Sequence, residues 1–271
     1  MPHVEHAGTE IYWEARGRGE PLLLIMGLGV TLEGWNRLGP VLAERYRTIL
    51  VDNRGVGRSG VPPAPYAIET MAADAAAVLD AAAVPRAHVF GISMGGMIVQ
   101  EFALTWPERV SSLILGCTGC GGRDAVPASR EVVTAMAARL TMTREQAMWA
   151  MAPYIYDAST PRDRIEEDFA RRLSAPASAE GYFGQLAGIR AWRGTLSRLS
   201  SIAAPTLVVH GETDQLVPPE NGRIIARAIP HARLVMIPNA SHIFATDRFD
   251  AARDAVLSFL KEHADVSQQT V

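Results

Sequence analysis

His88-Val89-Phe90-Gly91-Ile92-Ser93-Met94-Gly95-Gly96-Met97-Ile98-Val99 is the stretch that decides the fold. A short apolar run that reads as a buried strand meets Gly-Ile-Ser-Met-Gly, and an apolar helical pattern follows at once. A Gly-x-Ser-x-Gly pentapeptide in that strand–turn–helix setting is a nucleophile elbow. The turn is tight enough to strain the serine backbone, and side chains two positions either side would collide, so glycine fits at 91 and 95. Ser93 is then expected above the sheet, over a helix N-terminus whose free amides and dipole favour a developing oxyanion.

Outward from the elbow the chain alternates strand and helix. Pro21–Met26 is continuously apolar, as a central strand covered on both faces should be, and it runs into Gly27-Leu28-Gly29. A helix is expected near Trp35 to Tyr46, then a strand at 47–51 ending in the loop Asp52–Gly60. That loop lacks the Gly-Lys-Ser/Thr ending of a P-loop, and its glycines do not fit a dinucleotide fingerprint. Residues 66–83 carry helical spacing, and a further strand covers 109–115.

From 121 to 200 the alternation stops. Helical patterns rich in Met, Trp, Tyr and Arg replace it, at 132–140, 144–149, 162–173 and 185–192. An insertion of this size reads either as a cap over the active edge of the sheet or as a set of core helices. Alternation resumes with a strand at 205–209, a helix at 219–229, a strand at 234–237 and an amphipathic helix ending near Leu260. The expected domains are a core formed by 1–120 with 201–271, and a helical cap at 121–200. The polar tail after Ala264 is expected to fray.

A serine hydroxyl is a poor nucleophile without a neighbouring, oriented base. Asp214, in Gly211-Glu212-Thr213-Asp214, and His242, in Asn239-Ala240-Ser241-His242, follow later strands. In a parallel sheet such strand ends share one edge, where ligands bind. Of the seven histidines only His242 occupies a loop after the last strand. Glu212 sits too close to its strand, and Asp247 is expected to cap the last helix. The oxyanion donors are expected to be the backbone amides of Met94 and Leu28. Trp35, Cys117, Met148, Trp149 and Tyr154 are expected to line the substrate pocket.

Composition narrows the rest. Hydrophobic residues at 48%, charged residues at 20% and a formal charge of −3 suit a globular enzyme and leave no basic footprint for nucleic acid or an anionic membrane. The start, Met1-Pro2-His3-Val4-Glu5-His6, lacks a basic segment followed by an apolar one, so no signal peptide and a cytoplasmic location are expected. Cys117 and Cys120 are the two cysteines; without a second Cys or His cluster they read as core or pocket residues, not as a zinc site or redox pair. No metal or other cofactor is expected, and the oligomeric state is open.

With these residues in place the chain resembles the α/β-hydrolase superfamily over almost its whole length. The resemblance rests on Gly27-Leu28-Gly29, Asp52–Ser59, Gly91–Gly96, Gly211–Asp214 and Ser241-His242. It is most similar to small bacterial esterases, polyketide methylesterases, enol-lactonases and cofactor-free haloperoxidases. The resemblance implies a mostly parallel central sheet with helices on both faces and a helical cap. Those relatives usually carry His-Gly before the oxyanion donor, where this chain has Met26-Gly27. The implied activity is hydrolysis of an ester or lactone of a small, largely apolar substrate through an acyl-enzyme. A perhydrolase or haloperoxidase using the same triad, or a non-catalytic ligand-binding regulator, would carry the same residues.

Overall fold

A computed structural model describes residues 2–264; the polar tail expected to fray lies outside them. The chain opens with β1 (His3–His6), β2 (Thr9–Arg16), β3 (Glu20–Ile25), α1 (Leu38–Ala43), β4 (Tyr46–Val51) and α2 (Ile68–Ala81). Next come β5 (Ala87–Ile92), α3 (Met94–Thr105) and β6 (Val110–Gly116). The insertion holds α4 (Arg130–Ala138), α5 (Arg144–Ile155), α6 (Arg162–Ser174) and α7 (Ala179–Ala191). β7 (Thr206–Gly211), α8 (Glu220–Ala228), β8 (Arg233–Ile237), α9 (Phe244–Asp247) and α10 (Phe249–Glu262) complete the described chain.

The strands form a sheet in the order β1-β2-β4-β3-β5-β6-β7-β8. β1 and β2 pair antiparallel, as do β2 and β4, and every pairing from β4 onward is parallel. Because side chains alternate along a strand, β3 feeds both faces at once. Leu23 and Ile25 join the layer under α2, α3 and α8, while Leu22 and Leu24 join the layer under α1 and α10. All four are fully buried, and each contributes roughly 1.5–3 kcal/mol of apolar burial.

Register sets what the sheet presents. Val51 pairs with Ile25, Ile25 with Gly91, Ile92 with Gly116, Gly116 with Val209, and Gly211 with Ile237. The residues that follow these pairs therefore leave the sheet at one edge: Met26–Gly29, Asp52–Asn53, Ser93, Cys117–Thr118, Glu212–Asp214 and Pro238–His242.

Three local expectations differ. The helix expected from Trp35 to Tyr46 is a 3-10 turn at Leu32–Trp35 followed by the short α1, and Tyr46 already opens β4. α5 runs on to Ile155; its start is fixed by a capping box in which Thr143 and Gln146 satisfy each other's backbone amides. α7 begins at Ala179, six residues earlier than its apolar spacing suggests, with the Ser178 side chain accepting from the Gly181 amide. Glycines 181, 184 and 188 hide that start, since glycine reads as a breaker. Here they let the helix lie directly on another segment: a Cβ at Gly181 would enter Gly55, and at Gly184 or Gly188 it would enter Tyr66. Among the described residues no helix is long and apolar enough to cross a membrane.

Candidate active site

Ser93 stands at the strand-to-helix turn with φ 58° and ψ −122°, a conformation L-residues rarely adopt. The surrounding contacts enforce it. A Cβ at Gly91 would meet the Gly95 carbonyl, and one at Gly95 would meet the Ile25 carbonyl. The Ser93 amide donates to the Gly116 carbonyl at 2.9 Å, and the Ser93 carbonyl accepts from the Thr118 hydroxyl at 2.7 Å. Among the described residues the Ser93 hydroxyl itself makes no hydrogen bond; it borders a cavity of about 310 Å³.

His242 borders the same cavity and is 6% exposed. Its Nδ1 lies 2.8 Å from Asp214 Oδ2. A carboxylate can only accept, so Nδ1 carries the proton and the neutral ring keeps its Nε2 lone pair free. Asp214 is 3% exposed, and its Oδ1 accepts from the Leu216 and Val217 amides at 2.9 and 2.8 Å. Burial works against its charge, but the His242 charge and hydrogen bonds from His210 and His242 overcome it, holding the carboxyl well below the usual carboxylate range. His210 Nε2 donates to the Val217 carbonyl at 2.8 Å and lies 3.4 Å from Asp214 Oδ2.

The loop after β3 approaches the serine closely: a Cβ at Gly27 would lie 2.9 Å from the Ser93 Cβ. The amides of Leu28 and Met94 have no acceptor among the described residues. Two buried amides hold this loop. Asn53 Nδ2 donates to the Met26 carbonyl at 2.9 Å, and Gln185 Oε1 accepts from the Gly29 amide at 2.8 Å. The loop thus has polar support next to the apolar Met26 side chain.

The sequence profile of the α/β hydrolase fold matches residues 20–147 and 167–248. The chain belongs to the α/β-hydrolase family. It is 32% identical to a protein assigned as the carbamate hydrolase RutD of Azorhizobium caulinodans, over 97% of this chain and 99% of that one. Among solved structures it is similar to a thermophilic esterase from Thermogutta terrifontis (28% identity, TM-score 0.84, 97% and 99% of the two chains). It is equally similar to the enol-lactonase from Burkholderia xenovorans LB400 (27% identity, TM-score 0.85, 96% and 100%).

Within this hydrolase the expected pocket residues part company. Met148 and Leu28 line the cavity, joined by Met136, Met151, Tyr156, Phe169 and Tyr182. Trp35, Cys117, Trp149 and Tyr154 are not among its lining residues. Trp35 is 2% exposed and packs edge-on to Phe90 inside the core. Trp149 lies one helical step round α5 from Met148, against Phe169 and beneath the Arg162 guanidinium. The Tyr154 hydroxyl donates to Glu131 on the outside of the insertion.

Cys117 is fully buried behind the triad candidates, its thiol directed at the Ser241 carbonyl. Its sulfur and ligand atoms of Asp214 and His242 lie within 4.8 Å of one another. Burial and the adjacent Asp214 charge push the thiol pKa well above its usual value, and Asp214 is committed to hydrogen bonds, so this donor set does not suit a metal.

Asp247 does not cap the last helix. Burial raises its pKa, and its carboxyl accepts from the Ser241 amide at 2.7 Å and the Thr160 hydroxyl at 2.5 Å. It therefore ties the His242 loop to the insertion. A second tie is the Ile243 amide, which donates to the Ile155 carbonyl at the end of α5 at 2.9 Å. Thr118, Gln185 and Asp247 are the positioning residues that sequence reasoning missed. Gln185 carried a usable signal: it is a lone polar residue on the glycine-rich face of α7.

Proposed function

We propose that this protein is a serine hydrolase that cleaves a carboxylic ester or lactone of a small, largely apolar substrate through an acyl-enzyme on Ser93. The observation that carries this reading is the His242–Asp214 hydrogen bond of 2.8 Å at the cavity where the strained Ser93 stands. His242 takes the Ser93 proton as the hydroxyl attacks the carbonyl carbon. Asp214 holds the ring in the required tautomer and stabilises the imidazolium that forms. The amides of Leu28 and Met94 receive the oxyanion. His242 then protonates the leaving alcohol and activates water for deacylation. Hydrogen bonds between nucleophile and base are often long before substrate binds, so the unbonded Ser93 hydroxyl suits the role. The 310 Å³ cavity is near the small end of ligand pockets, and its methionine and aromatic lining favours apolar groups. A small esterase and an enol-lactonase among the structural relatives support this substrate class.

The test is covalent labelling with a fluorophosphonate followed by peptide mass spectrometry. Modification at Ser93 alone, lost on His242→Ala, is expected. Labelling elsewhere, or none while an ester is being turned over, overturns the assignment. Turnover that EDTA abolishes would point to a metal instead.

A further inference from the structure

Six charged side chains other than His242 line the cavity: Glu33, Arg37, Arg139, Asp168, Arg171 and Arg172. Three of them are matched. Arg37 donates to Asp168 Oδ1 at 3.0 Å, and Arg58 lies 3.4 Å from Glu33. The other Asp168 oxygen is taken by the Tyr156 and Thr246 hydroxyls, at 3.2 and 2.6 Å. The remaining three, Arg139, Arg171 and Arg172, make no side-chain hydrogen bond or ion pair among the described residues. Arg139 is half-buried, and its Nε is sealed from solvent without an acceptor. Arg172 is also half-buried, whereas Arg171 is at the exposed rim.

An unpaired guanidinium taken out of water is costly, and a second one beside it adds repulsion. Burial pulls the Arg172 pKa down and the charges of Arg139 and Arg144 add to the effect, against opposing contributions from Tyr156 and Asp168. Asp168, the acid whose charge reaches Arg172, has its oxygens taken by Arg37, Tyr156 and Thr246. Arg139 lies beside the Tyr182 ring, 5.6 Å from its centroid, and that ring packs against Gly29 in the oxyanion loop. Met136, Met148, Met151 and Phe169 supply apolar wall in the same cavity.

We infer that the cavity is built for an ester or lactone that carries a carboxylate at the far end of a short apolar chain, with Arg172 and Arg139 as its anion site. This deepens, and rests on, the hydrolase reading above. The planar guanidinium matches a carboxylate with two parallel hydrogen bonds, and the substrate supplies the acceptors that the protein withholds. The apolar wall takes the chain between the two ends.

The experiment compares monomethyl esters of short dicarboxylic acids with methyl esters of monocarboxylic acids of the same length, in the wild type and in Arg172→Met, Arg172→Lys and Arg139→Met. The wild type is expected to favour the anionic ester in kcat/KM by about 10- to 100-fold. Arg172→Met should lower that ratio by at least about tenfold, Arg139→Met by less, and Arg172→Lys should keep part of it. A wild type that prefers the neutral ester overturns the inference, as does an Arg172→Met that loses both esters equally. Calorimetric titration of Ser93→Ala with the same monomethyl esters, with and without Arg172→Met, reads binding without turnover. If neither ester is hydrolysed yet Ser93→Ala binds the anionic one through Arg172, the hydrolase reading fails and the anion site stands. If the neutral ester is hydrolysed and no charge preference exists in rate or binding, the anion site alone fails.

Discussion

The two walls of the cavity are built on opposite principles. At the sheet edge the groups that hold the reacting ones are bonded: Asp214 accepts from two amides and His242, Thr118 holds the elbow carbonyl, and Asn53 holds the Met26 carbonyl, while the Ser93 hydroxyl and the Leu28 and Met94 amides are left open among the described residues. The wall from α4 to α7 is soft by comparison, with three methionines lining the cavity and two half-buried arginines whose side chains lack hydrogen-bond partners among the described residues. A bonded framework suits a step that tolerates no misalignment, and unsatisfied donors suit a site completed by its ligand. The division is not complete, because Thr160, Ile155 and Gln185 reach out of the insertion to hold the His242 loop and the Gly27–Gly29 loop. The insertion both lines the cavity and buttresses the loops beside it.

The comparison breaks first at Ser93. Ser93→Ala should remove at least about three orders of magnitude of kcat on a short aryl ester while the circular dichroism spectrum and melting temperature stay close to wild type. Retained activity would mean that the sheet edge is not where the chemistry occurs.

The pH profile comes next in size. Asp214 is held well below the ordinary carboxylate range, so it stays ionised throughout an assay between pH 5 and 8. His242 is the base in this scheme, and only its neutral form accepts the serine proton. kcat/KM should therefore rise with pH, by up to about tenfold per unit on the acid limb, to a plateau. A flat profile over that range would remove His242 as the base. The same carboxylate gives a stability signature: a depressed pKa contributes stability above the unfolded value of about 3.9, lost as pH falls below it. Acid unfolding monitored in Asp214→Asn should be shallower.

Gln185→Leu tests whether the soft wall also aligns the rigid one. It leaves the Gly29 amide and the Arg54 carbonyl without their buried partner. An unmade buried hydrogen bond costs about 1–3 kcal/mol, so kcat on a minimal ester should fall about tenfold with KM little changed. If KM alone rises, the residue is a pocket wall and nothing more.

The smallest effect is expected at Met151, on the selecting face of α5. Met151→Ala should keep kcat/KM for a minimal ester within about tenfold of wild type and shift the preferred chain length upward. Lost apolar contact of about 1–3 kcal/mol falls mainly on substrates long enough to reach it. Equal losses on esters of every length would assign Met151 to stability.

What could be read from the chain alone follows from how local each requirement is. Gly91-x-Ser93-x-Gly95 states its own conformation, since a Cβ at Gly91 collides with backbone four residues on and one at Gly95 collides with the end of the adjacent strand. Asp214 and His242 follow strand ends, and parallel register carries such ends to one edge whatever lies between. Those signals are short and survive without a partner in view.

The tertiary structure alone decided which way the insertion faces. α5 is apolar around much of its girth, with Met148 and Met151 on one side and Trp149 and Tyr154 on others, so one helical step separates pocket from surface. Glycines on α7 looked like breaks until Gly55 and Tyr66 were seen lying against them. Arg139, Arg171 and Arg172 read as ordinary charged helix residues, and only the folded chain places them at one cavity without hydrogen-bond partners among the described residues. Steric demands of a single turn are written in neighbouring residues, whereas burial, and the absence of a partner, belong to segments distant in sequence that meet only in the folded chain.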